Sequence, residues 1–289
     1  MEIAWPLMAL AFSFCGALIV GFNHWANIDG TKLVVLRWLG VVPIALVAAC
    51  LLPWPAHPNF YAVAAGMGVL LALSDKLLFN AASVHGGRLT ALYIPIKMLM
   101  GFVLWAIWMP ESLHGIVDAP WRGVLILFGF MLCSGSLLLL RNQDASRAAI
   151  AAVIPVAALL AIGDVVAKYS LNSSGVHWTD ILGGATAFLF VTTTVGSIVG
   201  LWMTRGPFEA TQREILLSAL FGAILMLSLS LFLVTLAAAP NPGYVGAITM
   251  LSALWLAIDG YLLRGERSNW WGGVVLVGGA IAVAIGAAY

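Results

Sequence analysis

The sequence predicts an all-α integral membrane protein: ten transmembrane helices arranged as two inverted five-helix repeats around a central cavity. Three observations lead there. Of 289 residues, 62% are hydrophobic and only 9% charged, and the mean hydropathy is +1.03. A water-soluble domain of that size lacks the polar residues to cover so much apolar surface, so its solvent is lipid. The apolar residues fall into ten runs, each near the roughly 20 residues that a spanning helix needs. The end of the chain also repeats its middle: Trp121, Gly123 and Gly129 return as Trp271, Gly273 and Gly279, each 150 positions later, after loops carrying Glu111 and Glu266. An odd number of spans per copy turns the second copy upside down, the arrangement that places a central site at the repeat interface.

Taken in order, the spans run over 5–22, 32–52, 59–83, 88–109, 121–140, 148–170, 178–204, 213–238, 243–263 and 270–288. Long Leu/Ala/Val/Gly runs without strict alternation favour helices over barrel strands. Trp5, Trp25, Trp54, Trp121, Trp178, Trp270 and Trp271 sit near span ends, as an interfacial belt requires. The third and fourth spans form a hairpin turning at Gly86, and Pro95 in the fourth frees a backbone carbonyl. Gly196 and Gly200 give the seventh span a GxxxG packing face. The polar loop from Arg141 to Arg147 is the seam between a first repeat, 1–146, and a second, 147–289. Met1-Glu2 carries no basic n-region, so no separate signal peptide is expected.

Several function classes drop out. A net charge of +1 gives no reason to expect a nucleic-acid partner. Cys15, Cys50 and Cys133 lie inside spans at spacings that suit neither a metal site nor a disulfide framework. GxSxG, HExxH, P-loop and dinucleotide motifs are absent, so neither an enzyme nor a resident cofactor or metal is expected.

Ten spans in two halves, each ending in a Glu loop and a Gly-rich helix, with Arg37 early in the second span and Pro95 in the fourth, resemble the drug/metabolite transporter superfamily, EamA type. The resemblance implies alternating-access transport of small organic solutes through a central cavity. It also implies both termini in the cytoplasm. The basic residues argue the reverse: Lys32, Arg37, Arg88, Arg141, Arg147, Arg205, Arg213, Arg264 and Arg267 flank loops after odd-numbered spans, against Arg122 and Lys168 on the other side. The location expected is a bacterial inner (cytoplasmic) membrane.

Charges inside spanning helices are costly, about 2.5–3.5 kcal/mol each on insertion scales, and mark sites by default. Asp75 and Lys97 stand equally far from Gly86, at matched depth on the hairpin, where they can pair directly. Tyr93 shares the face of Lys97, and Lys76 points about 100° away from Asp75. With an offset of 155 between halves, Asp75 maps to Ser230 and Lys97 to Ser252, so the charges belong to one half only. The candidate binding set is Asp75, Lys76, Tyr93, Lys97, Trp105, Ser230, Ser252 and Trp255. An Asp–Lys pair is also the pattern of a purely structural hairpin lock. Asp164 and Lys168, at i and i+4, are candidates for a gate or an interfacial salt bridge, and Asp164 or Asp75 for proton coupling. Arg37 reads as a membrane-edge anchor. His24, His57, His85, His114 and His177 fall at or beside loops. The expected substrate is a small polar or amphoteric metabolite, such as an amino acid or organic anion. The alternative is a lipid flippase using the same cavity with a lateral opening. Partners are that solute, membrane lipid and, for a coupled mechanism, protons.

Overall fold

The computed structural model describes residues 4–26, 30–85, 93–140, 147–173, 177–204, 208–264 and 270–287. The expectations placed on Gly86, Arg88, the 141–146 seam, Arg205, Glu266 and Arg267 lie outside these residues, as do the side chains of His24, Trp25, His85, Arg147 and Arg264.

Every regular element among the described residues is helical: α1 (Trp5–Ala26), α2 (Gly30–Leu51), α3 (Pro58–His85), α4 (Tyr93–Trp108), a 3₁₀ turn (Pro110–Leu113), α5 (His114–Val117), α6 (Pro120–Leu140), α7 (Arg147–Asn172), α8 (Trp178–Met203), α9 (Gln212–Ala238), α10 (Pro242–Thr249), α11 (Ser252–Arg264) and α12 (Trp270–Ala287). With no water in the hydrocarbon to satisfy backbone groups, these apolar runs close their hydrogen bonds internally as helices. Local chemistry sets particular ends. Thr211 and Glu214 form a reciprocal capping box at the start of α9, and the Asn241 carboxamide accepts from Gly243 N–H to start α10.

Six helices are long and apolar enough to cross a membrane: Pro58–Leu78, Ile150–Asn172, Trp178–Met203, Gln212–Ala238, Pro242–Leu262 and Trp270–Ala287. A seventh is added if α4 and the short helical turns after it, bent by 116°, count as one span. The chain is therefore an all-helical, multi-pass membrane protein. Ten spans exceed this count. The described apolar stretches of α1 and α2, Trp5–Ile19 and Val35–Leu51, are shorter and do not add to it. Two features were not expected: the bend after α4, and the break at Met250–Leu251 that divides the ninth apolar run into α10 and α11.

The most extensive helix contacts are not between chain neighbours. α7 packs against both α3 and α4, and α3 and α4 make almost no contact with each other. In the same way α1 packs against α9, α10 and α11, while α9 and α10 barely touch.

Two seams hold the bundle. α2 and α9 run parallel in register: Lys32 meets Glu214, Ser218 donates to the Leu36 carbonyl at 2.6 Å, and Gly40 meets Gly222. A Cβ on either glycine would collide with the facing backbone, so only hydrogen fits there. α3 and α8 repeat the pattern. Phe60 and Phe188 pack edge to face at 5.7 Å, Thr192 donates to the Ala64 carbonyl at 2.9 Å, and a Cβ on Gly68 would crowd the Thr192 carbonyl and Gly196 nitrogen. α6 and α12 form the most extensive helix pair, crossing where Gly129 faces Val283 and Gly279 faces Cys133.

Candidate functional site

The intramembrane charges pair across helices. Arg37 of α2 binds the Asp75 carboxylate of α3, which also accepts from Trp38 Nε1 at 3.2 Å. Lys97 of α4 binds Asp164 of α7 at 2.8 Å, and its ammonium stands 5.2 Å over the Phe232 ring of α9. Phe232 in turn packs on Phe12 of α1 at 4.8 Å. Tyr93, one turn before Lys97, lies near enough to feel the charges of both ion pairs.

Neither pair is sealed. Side-chain exposure is 17% and 13% for Arg37 and Asp75, and 21% and 10% for Lys97 and Asp164. At 1.5 Å rise per residue, Lys97 lies about 16 Å from the α4 end at Trp108, and Asp164 about 12 Å from the α7 end at Asn172. The Lys97–Asp164 pair is therefore deep within the helical layer. Charges held there need partners, because an uncompensated ion in a low-dielectric setting is strongly unfavourable.

Lys168 does something else. It is 3% exposed and donates to the carbonyls of Leu236, Ala237 and Ala239 at 2.8, 3.4 and 2.5 Å. These are orphan acceptors at the end of α9, where the negative end of the helix dipole also favours a cation. The ammonium stands 5.1 Å over the Trp105 ring, itself 2% exposed. Among the described residues the Trp105 indole N–H has no hydrogen-bond partner.

The expected residues thus fall into three groups. Asp75, Tyr93, Lys97 and Asp164 come together. The structure does not pair Asp75 with Lys97, however, because α7 is wedged between their helices. It likewise separates Asp164 from Lys168: one turns to Lys97, the other to the end of α9. Lys168 and Trp105 form a second cluster farther along α7. Ser252 and Trp255 face α1, where Trp255 Nε1 donates to Ser13 Oγ at 3.0 Å and Ser252 packs beside Gly16. Ser230 is half-buried on α9, and Lys76 is exposed.

Arg37 is no edge anchor: it is the counter-ion of Asp75. The signal lay in charge arithmetic, since Asp75 and Asp164 both needed cations and Arg37 was available beside Lys97. Glu214 was also missed, although the Thr211-x-x-Glu214 capping box was readable. Its carboxylate accepts from the Thr211 backbone and hydroxyl and from Lys32, tying α9 to α2 at one end of the bundle.

Among the described residues, no group of His, Cys, Asp and Glu could hold a metal. One cleft of about 180 Å³ lies away from the ion pairs, at the end of the bundle carrying Trp5 and Arg122.

No protein-family model matches the sequence, and no curated protein matches it. A solved crystal structure does match the fold, with a TM-score of 0.69 at 11% identity, covering 99% of this chain and 98% of that chain. At that identity the likeness concerns the fold alone, and the fold is shared over essentially the whole length of both chains.

Proposed function

We propose that this chain is a secondary transporter of a small polar or amphoteric metabolite, working by alternating access between two inverted five-span halves. The observation that carries the reading is the Lys97–Asp164 pair. It joins a helix of the first half to a helix of the second, deep in the apolar layer, and keeps Lys97 a fifth exposed. Opposite charges held side by side there suit the carboxylate and ammonium of an amino-acid-like solute, and intramembrane ionisable groups of this kind mark solute and ion pathways.

The inverted repeat is supported by the packing. Exchanging the halves carries Lys32, Leu36 and Gly40 onto Phe188, Thr192 and Gly196, and carries Glu214, Ser218 and Gly222 onto Phe60, Ala64 and Gly68. One seam becomes the other, with the hydrogen-bonding layer kept and its donor helix switched. The α7 wedge between α3 and α4 likewise exchanges with the α1 wedge between α9 and α10. Gly129 and Cys133 exchange with Gly279 and Val283. Lys97 exchanges with Ser252, which sits beside Gly16 without a charge, so the Lys97–Asp164 pair bridging the halves has no charged counterpart across the pseudo-symmetry.

The test begins with a thermal-shift screen of amino acids, nucleosides, sugars, vitamins and organic anions, since a ligand of the folded form alone raises apparent stability. Hits go into proteoliposome uptake, with and without a pH gradient. Asp75→Asn and Lys97→Ala abolish uptake while leaving folded protein; wild-type rates for both variants overturn the assignment of the site.

A further inference from the structure

Lys168 sits one helical turn, about 6 Å, beyond Asp164 along α7. It therefore lies just past the Lys97–Asp164 pair, toward the end of the bundle where α4, α7 and α9 finish. Two contacts join α4 to α7 on this line: Lys97 with Asp164 at 2.8 Å, and the Trp105 ring with the Lys168 ammonium at 5.1 Å. The same ammonium holds the end of α9 through the Leu236 and Ala239 carbonyls, at 2.8 and 2.5 Å. Asn241, at the start of α10, donates to the Phe102 carbonyl of α4 at 3.3 Å. One end of α4 is thereby tied to α7, α9 and α10. The tie is dry: Leu171, Leu236, Ala239 and Asn241 are each 1% exposed or less, whereas the Lys97 side chain keeps 21%.

This closure differs in kind from the glycine seams, where backbone meets backbone. Among the described residues no carboxylate pairs with Lys168; its ammonium rests on carbonyls and a ring. Water satisfies every one of these groups equally well, since the last carbonyls of a helix are commonly hydrated and an exposed ammonium regains its own hydration. A buried cation without a counter-ion is unfavourable. The buried Trp105 N–H, unpartnered among the described residues, adds to that. Opening this end returns the hydration that closing removes, so the closed form is held by a small margin. Apolar side chains make the better permanent seal.

We propose that Lys168 is the latch of a gate at this end of the bundle. With its ammonium on the α9 carbonyls and Trp105, the end beyond the Lys97–Asp164 pair is shut; its withdrawal into water frees α4 from α7 and α9. The inference rests on the alternating-access reading and adds which end is closed and which side chain holds it.

The test uses the full chain in detergent with Cys15→Ala, Cys50→Ala and Cys133→Ala, and one reporter thiol at a time. Ala239→Cys reports on the latch. Ala152→Cys reports on the opposite end of α7, where Ala152 packs with Tyr93 and Ile96 around Ala81 and Val153. A sulfonated maleimide reacts slowly at Ala239→Cys while Lys168 is present. Lys168→Met raises that rate by about tenfold or more, the population shift expected when hydrogen bonds from a charged donor are lost. It lowers the rate at Ala152→Cys, because opening one end closes the other. Lys168→Arg keeps the wild-type pattern. Trp105→Leu shifts both rates in the same directions as Lys168→Met, by a smaller factor, and keeps the test valid should Lys168→Met fold poorly. The latch is overturned if neither Lys168→Met nor Trp105→Leu changes the rate at Ala239→Cys. It is also overturned if both reporters speed up together, which is the mark of general loosening. Solute uptake into proteoliposomes is read separately: uptake with unmoved labelling removes the latch and keeps the transporter, whereas reciprocal labelling without uptake of any screened solute supports the latch and counts against transport.

Discussion

The Lys97–Asp164 pair invites a double-mutant cycle that separates a solute site from a structural lock. At 2.8 Å, two unit charges attract by about 6 kcal/mol at an effective dielectric of ~20. Desolvation of both ions offsets much of that, so the net worth of the pair is small. Removing one partner is different, because it strands the other charge, at about 3–5 kcal/mol for buried pairs. The fifth of Lys97 that remains exposed puts each single loss near the lower end, about 3 kcal/mol. Lys97→Met and Asp164→Leu are thus each predicted to destabilise by that amount. The double variant, with no stranded charge, recovers roughly 2 kcal/mol or more of the summed loss. Denaturant unfolding in detergent measures the four corners, and proteoliposome uptake is read in parallel. If the pair contacts solute, the double variant regains stability and stays inactive; if it is only a lock, uptake returns with stability. Single variants as stable as wild type, or strictly additive losses, would refute the energetic reasoning itself.

Further predictions follow from the seams and the end of α9. Gly222→Leu forces α2 and α9 apart and destabilises by at least the 1–3 kcal/mol typical of overpacking, read by unfolding midpoint; Gly66→Leu, where an added Cβ meets nothing within 4 Å, is the tolerated control. Lys168→Met leaves the carbonyls of Leu236 and Ala239 without their donor and lowers stability by about 1–3 kcal/mol; an unchanged midpoint would mean that water replaces the ammonium there. A small polar maleimide applied in detergent modifies the exposed Cys50 and spares Cys133, which mass spectrometry resolves; equal labelling would contradict the packing of α6 on α12.

Much of the architecture was legible because lipid makes it so. Apolar runs of spanning length have one low-energy backbone solution, and nearly every predicted span has a helix within a few residues of its place. The Gly196–Gly200 face packs closely, as its small residues implied: Gly196 meets Gly68, and a Cβ on Gly200 would be 3.6 Å from Val35. The breaks after Trp108 and at Met250 escaped notice because hydropathy records how apolar a segment is and says little about where its axis turns.

The sequence by itself determined the solvent, the helices and their approximate ends, the residues carrying buried charge, and the confinement of most of that charge to one half. It could not determine partners. Spacing fixes which residues share a face of their own helix, so Asp75 could be set opposite Lys97 and Asp164 above Lys168 on paper. The tertiary structure alone decided that α7 slides between α3 and α4, giving Asp75 to Arg37, Asp164 to Lys97 and Lys168 to the end of α9. Ion-pair geometry is settled over a few ångströms between helices far apart in the chain, and no local periodicity records which helix a buried charge will face.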